Sequence, residues 1–288
     1  MMLALQLLCD GILLGGTYVL LAQSLNLIFG VMGVVNLAHG SFIVLAGLFT
    51  VWFAAHAAVS PLIAIPIAFV ILVGVGALLQ PVLLEPLMGL GAQQAELLSL
   101  MLTFGLDYVL IELGLQVFGS NYVSLPYLQS TFTVGGVTIG KSLLVSGVFA
   151  GVLALLLSLW LNHTSFGKTL LAASQSEVGS LSVGINVRLV RLVAFAVGVG
   201  LAGAAGALLI LVEPMAAETA DDFTLLAFVL IALGGLGDYR GVAIASVLLG
   251  IAQSVVGFEI GGDAGNTLPF VLLILFIALW PQRFRRAA

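Results

Sequence analysis

Charge is what this sequence has least of. Asp, Glu, Lys and Arg together make up 7% of its 288 residues, where a soluble domain carries about 25%. Hydrophobic residues make up 61%, and the mean hydropathy is +1.27. A chain of this length has no interior large enough to hide so much apolar surface, which excludes an ordinary soluble enzyme. Intrinsic disorder is excluded too, because it needs few apolar residues and a high net charge. A lone cysteine, Cys9, excludes a disulfide framework. Three histidines without a His-Glu-x-x-His pattern, and no cysteine cluster, speak against a metal site. With 8 basic residues against 13 acidic ones and no basic patch, no nucleic-acid partner is expected. No cofactor is expected either.

What is present is glycine and long apolar runs. The 35 glycines follow no collagen period and suit close-packed membrane helices. Residues 11–84 contain no Asp, Glu, Lys or Arg. As helix they would extend about 110 Å, enough for roughly three passes through a hydrocarbon core about 30 Å thick. Breaks are predicted at 33–40 and between His56 and Pro61. Further uncharged windows lie at 142–167, 192–212, 241–258 and 264–282, and 97–118 carries only Asp107 and Glu112. A shorter apolar segment, 223–237, ends in glycines. Helices rather than a barrel follow, because no alternating ten-residue segments occur and lipid demands internal backbone hydrogen bonds. The expected fold is an all-α polytopic membrane helix bundle with about nine transmembrane helices, eight to ten being compatible. The N-terminal run is expected to be a retained first span, since it lacks the basic start and cleavage site of a signal peptide.

Basic residues set the expected orientation. Lys168, Arg188 and Arg191 flank the polar segment 162–191. Arg240 lies between two apolar segments, and Arg283, Arg285 and Arg286 end the chain. Placing all of these in the cytoplasm leaves only acidic residues in the opposite loops that follow Val212. Lys141 is then the one basic residue on the external side, together with the N-terminus.

Residues 135–142 match the phosphate-loop pattern G-x-x-x-x-G-K-[ST]. The match is rejected. A phosphate loop needs an α/β sheet before and around it, and here an apolar membrane span follows, so an external turn beside a short strand is expected. No nucleophile elbow occurs. Polar residues inside the apolar runs carry more interest, because intramembrane ionisable groups face a bundle interior, a partner or a water-filled path. Asn36, His39, Gly40, Asp107 and Glu112 are the candidates for a translocation path. Asp107 and Glu112 stand about 140° apart on a helix and need not share a face. They suit either helix–helix hydrogen bonding or a substrate or proton path. Glycine pairs such as Gly11/Gly15, Gly147/Gly151 and Gly198/Gly206 recur at multiples of four residues and read as ordinary close packing. The segment 162–191 is too polar for lipid and too long for a turn, with Leu170–Leu181 able to form a short helix.

These residues carry a resemblance. Gly15-Gly16-Thr17-Tyr18, Asn26-Leu27 and Asn36-Leu37-Ala38-His39-Gly40 come first. Thr164-Ser165-Phe166-Gly167-Lys168 and Gly184-Ile185-Asn186 follow, then Gly234-Gly235-Leu236-Gly237 with Gly241, Gly250 and Pro281. In this order and spacing the chain resembles the shorter permease subunits of branched-chain amino acid ABC importers, from about Gly15 to Pro281. The resemblance implies a single permease domain over residues 1–288 with the many-helix fold of type II importers. It implies an ATP-driven importer in a bacterial inner membrane, with no enzymatic site in this chain. The implied partners are a second related permease in a heterodimer, two cytoplasmic ATPase subunits and an extracytoplasmic substrate-binding protein, within membrane lipid. Residues 162–191 would be the cytoplasmic coupling loop, with Ser174, Gln175, Glu177, Gly184, Ile185 and Asn186 at the ATPase. Gly234, Gly235, Gly237 and Gly241 would break helices. The family's substrates include branched-chain and other small hydrophobic amino acids, and also urea, short amides and aromatic carboxylates. The chain departs from the family at Leu171, where a second Arg is usual, in the unbasic Leu84-Glu85-Pro86-Leu87, and at Arg240. An ion-coupled transporter using Asp107 or Glu112 is the rival, and it has no need of the segment 162–191.

Overall fold

A computed structural model describes residues 2–57 and 60–279. Pro281 and the arginines at 283, 285 and 286 lie outside the described residues, as does part of the break between His56 and Pro61. Each of the nine expected crossings is a helix. They are α1 (Met2–Met32), α2 (His39–Ala57), α3 (Ala64–Leu79), α4 (Ala92–Phe118) and α5 (Lys141–His163). After two short helices, α6 (Ser165–Gln175) and α7 (Glu177–Ser182), come α8 (Val187–Leu209), α9 (Ala220–Gly234), α10 (Tyr239–Glu259) and α11 (Gly262–Leu279). Among the described residues, seven helices are long and apolar enough to cross a membrane, and α9 and α11 are shorter. All nine expected helices are present; α9, with 15 residues, gives only about 22 Å.

The bundle has a defined hub. In α8 and α1, 83% and 72% of the most apolar window is buried, against 22% in α4. α1 is flanked by α10, α8 and α5, and α8 by α3, α1 and α2. Small residues let these backbones approach. Gly11 and Gly15 lie against the α10 backbone at Ile251 and Val247, and Gly206 lies against the main chain of Ile43. The outward faces of α3, α4, α5 and α10 carry exposed Val70, Met101, Leu155 and Ile244. This is the inside-out dress of a protein solvated by lipid.

The two ends differ. At one end, β1 (Thr131–Val134) and β2 (Val137–Gly140) form an antiparallel hairpin. Its turn residues Gly135 and Gly136 both have positive φ, 59° and 85°, as a two-residue primed turn requires. The glycines of the phosphate-loop match are thus spent on a hairpin. Gln6 clamps it to α1, donating to the Thr138 carbonyl and accepting from the Thr138 N–H at 2.7 Å. At the opposite end, the arginine end, lie Glu85, Arg188 and Arg191, the knob formed by α6 and α7, and the α9–α10 turn. The segment 162–191 differs from the expected single helix over Leu170–Leu181. Thr164 caps α6 by accepting from the Gly167 N–H at 2.9 Å. Ser176 then stops α6 and caps α7, accepting from the Gly179 N–H at 3.0 Å.

The α2–α8 contact yields a direct test. A Cβ at Gly206 runs into the Ile43 backbone, whereas one at Gly105 meets open space. Gly206→Ala should cost about 1–3 kcal/mol by overpacking, and Gly105→Ala should not lower stability. Thermal unfolding of the solubilised variants measures the difference.

Candidate functional site: two chain breaks meeting inside the bundle

Helix α1 ends at Met32, and Gly33 turns the chain with φ 64°. Residues 33–38 then run back into the bundle without regular structure, and Val34, Asn36 and Ala38 are fully or almost fully buried. A second irregular segment, 210–219, descends from the hairpin end; Ile210, Met215, Ala216 and Ala217 within it are buried. The two breaks end at the starts of α2 and α9, and these starts touch: Gly40 lies against Ala220 and Thr224. Because α9 runs only about 22 Å from there to the arginine end, the meeting point lies part-way along the bundle. Irregular backbone at that depth persists only where protein covers it and partners satisfy it.

Two threonines supply those partners. Thr224 Oγ1 accepts from the Gly40 N–H at 2.8 Å and donates to the Leu37 carbonyl at 3.0 Å. Thr103 Oγ1 accepts from the Leu37 N–H at 3.1 Å and donates to the Ser99 carbonyl at 2.7 Å. Two other helices, α4 and α9, therefore complete the break between α1 and α2. His39 Nε2 meets Ser24 Oγ at 2.9 Å, and the Ser24 hydroxyl donates to the Leu21 carbonyl. Among the described residues, that leaves His39 Nδ1 without a hydrogen-bond partner, and both polar atoms of the Asn36 amide are also unpartnered. Asp107 accepts from the Ser41 hydroxyl in a short contact and faces the Asp221 carboxyl in the first turn of α9.

The structure therefore gathers Asn36, His39, Gly40 and Asp107 around the two helix starts. Glu112 does not join them: it is exposed and accepts from Gln116 on its own helix at 3.1 Å. Five residues of helix turn it away from Asp107, onto an exposed face. Thr103, Thr224, Ser41, Ser24 and Asp221 were not singled out from the sequence. Hydroxyl residues in apolar helices are common, and only the fold shows which ones cap a break.

At the arginine end, Gly184 has φ 80°. The Ile185 N–H donates to Ser180 and the Gly184 N–H to Leu181, at 3.0 and 3.1 Å, which makes a Schellman closure of α7. Asn186 caps α8, accepting from the Leu189 N–H at 3.1 Å. Ser174 donates to the Leu171 carbonyl, and Gln175, the last residue of α6, is exposed. Glu177 pairs closely with Arg191, and Arg191 also lies 3.5 Å from Glu85, which accepts from Gln80 at 2.7 Å. The knob is thus tied through buried Arg191 to the turn after α3. Gly234 ends α9 against the backbone of Gly241 and Val242, while Gly235 and Gly237 take positive φ. The Gly237 N–H donates to Asn26 Oδ1 at 2.8 Å, joining two motifs 211 residues apart.

Comparison with known proteins identifies relatives of the chain. Residues 7–279 match the family described as branched-chain amino acid transport system, permease component. The chain is 26% identical to the high-affinity branched-chain amino acid transport system permease protein LivH of Escherichia coli (strain K12), over 96% of this chain and 94% of that protein. It is 27% identical to the probable branched-chain amino acid transport permease protein LivH of Methanocaldococcus jannaschii, over 86% and 79%. It is 24% identical to the high-affinity branched-chain amino acid transport system permease protein BraD of Pseudomonas aeruginosa, over 96% and 94%.

Thr224→Val should strand the Gly40 N–H and the Leu37 carbonyl in an apolar interior, at about 1–3 kcal/mol for each group. Thr224→Ser should keep both bonds and most of the stability. Comparing the two variants by thermal unfolding in the same lipid or detergent separates the lost bonds from lost volume.

Proposed function

The chain belongs to the branched-chain amino acid transport system permease family, and on that premise we propose that it is the membrane subunit of an ATP-driven importer. It forms half of a translocation path for branched-chain or other small hydrophobic amino acids. The other half comes from a second, related permease. Two ATPase subunits bind at the arginine end, and an extracytoplasmic binding protein delivers substrate at the hairpin end. Basic residues favour the cytoplasmic side, which puts Lys168, Arg188, Arg191 and Arg240 on the cytoplasmic face of a bacterial inner membrane.

The observation that carries this reading is the knob of α6 and α7. It stands outside the apolar bundle and exposes Val178, Leu181 and Val183 at 76%, 57% and 75%. Exposed apolar side chains on a polar, water-facing excursion are suited to a protein partner. The knob is also anchored rather than loose, since Arg191 binds it to Glu85 below α3. A push on α7 would reach α3 and α8 together. Nucleotide binding on the ATPases would then favour one packing of the helices, and hydrolysis the other. The paired helix starts at Gly40 and Ala220 are where such repacking would open or close the path. Helix N-termini at membrane depth present a positive dipole end and free N–H groups, a recurring feature of transporter substrate sites.

No covalent chemistry is required of this subunit. The contact between buried Asp107 and exposed Asp221 gives an ion-coupled mechanism its best foothold, so the energy source must be tested directly. Co-reconstituted with its partner subunits, the chain should show uptake that requires ATP and persists when the proton gradient is collapsed. Gly184→Val forces a branched side chain into a left-handed turn and should lower uptake at least several-fold while ATP hydrolysis continues. Gly184→Asn, which tolerates that conformation, should retain most of it. Uptake unchanged in Gly184→Val would remove the coupling role.

A further inference from the structure

A cavity of about 460 Å³ opens at the hairpin end between α1, α9, α10, α11 and the segment 210–219. Its polar lining consists of Tyr18, Tyr122, Glu213, Thr219, Asp222, Gln253, Asn266 and Thr267, with Phe223, Leu226, Pro269 and Phe270 as apolar wall. No Lys, Arg or His is among the lining residues. Glu213 accepts from the Tyr18 hydroxyl at 3.3 Å, which is a long bond to a neutral donor. Gln253 is 8% exposed; its amide N–H donates to Asn266 Oδ1 at 3.0 Å, and among the described residues its Oε1 has no hydrogen-bond partner. Buried acceptors in native structures are seldom left unpaired.

We propose that this cavity is a binding site for an organic cation, an ammonium group carried on a short apolar body. An ammonium brings three N–H donors and no acceptor. Glu213, Asp222 and the orphan Gln253 Oε1 are acceptors on the cavity wall, two of them carboxyl groups. The apolar wall of Phe223, Leu226 and Phe270 takes the hydrocarbon part. A carboxylate ligand meets the opposite conditions: two acidic residues face it and no fixed cation. From α9 the cavity is lined by Asp222, Phe223 and Leu226. This assignment rests on the permease reading only for the side of the membrane that the cavity faces.

The test uses the full chain in membranes of cells expressing the complete system. Thr267, exposed on the cavity rim, is replaced in a Cys9→Ala, Thr267→Cys double variant. Its reaction rate with a membrane-impermeant maleimide is then followed. Millimolar 3-methylbutylamine should slow labelling several-fold, and 4-methylpentanoate, with the same apolar body and opposite charge, should not. Adding Glu213→Gln should abolish the amine's protection and leave the rate without ligand unchanged, which shows that the fold survives. Equal protection by both compounds, protection by neither, or amine protection that survives Glu213→Gln overturns the proposal. Labelling needs no ATP, so the two readings fail separately. ATP-driven uptake without amine protection removes the cation site alone, and amine protection with ATP-independent uptake removes the importer alone.

Discussion

The fold depends on satisfying a broken backbone where no water can do it. A helix in lipid closes its own hydrogen bonds, so a chain built only of full spans has no such problem. This chain interrupts itself twice, at 33–38 and 210–219, and buries most of both interruptions. Each unpaired N–H or C=O there would cost on the order of 1–3 kcal/mol, a large share of a typical folding free energy of about 5–15 kcal/mol. Thr103 and Thr224 meet that cost for the first break from neighbouring helices, and Val123 pairs with Met215 in the second. The consequence is that α2, α4 and α9 cannot move independently of the break between α1 and α2. The same contacts that permit an irregular segment also make it a joint.

The arginine end is stiff: the Schellman turn at Gly184, the Asn186 cap and the Arg191 pairs fix the knob to α8 and to the turn below α3. In the middle, the helix starts at Gly40 and Ala220 touch through backbone and Thr224, and Asn36 and His39 stand beside them with polar atoms that have no partner among the described residues. Under the alternating access proposed above, the first would be the lever and the second the contact that opens.

Much of the fold was legible because lipid leaves few choices. The charge-free run 11–84 and the later uncharged windows predict helices, and all nine are there. Hydropathy does not give the length of a helix, since 223–237 is apolar enough to cross but ends in a helix of 15 residues. Its missing length is supplied by the buried segment 210–219, which hydropathy cannot distinguish from an ordinary loop. Asn36, His39 and Asp107 stand out as polar residues in apolar runs, and the fold gathers them. Glu112 stands out for the same reason and faces outward, because periodicity does not say which side of a helix meets protein. The pairing of Asn26 with Gly237 joins two stretches that drew notice separately. The threonines of the break, the Glu85–Arg191 tie and the Glu213 cavity are long-range pairings of ordinary residues, and no local pattern announces them.

The protection of the break is open to direct observation. In the full chain embedded in lipid nanodiscs, amide hydrogen exchange should find the N–H groups of Leu37 and Gly40 as slow to exchange as the interior of α8, although neither belongs to a regular helical ladder. Exchange at those two positions as fast as in the loop 119–130 would mean that residues 33–38 are solvated rather than held by Thr103 and Thr224, and the joint at the centre of this structure would not exist.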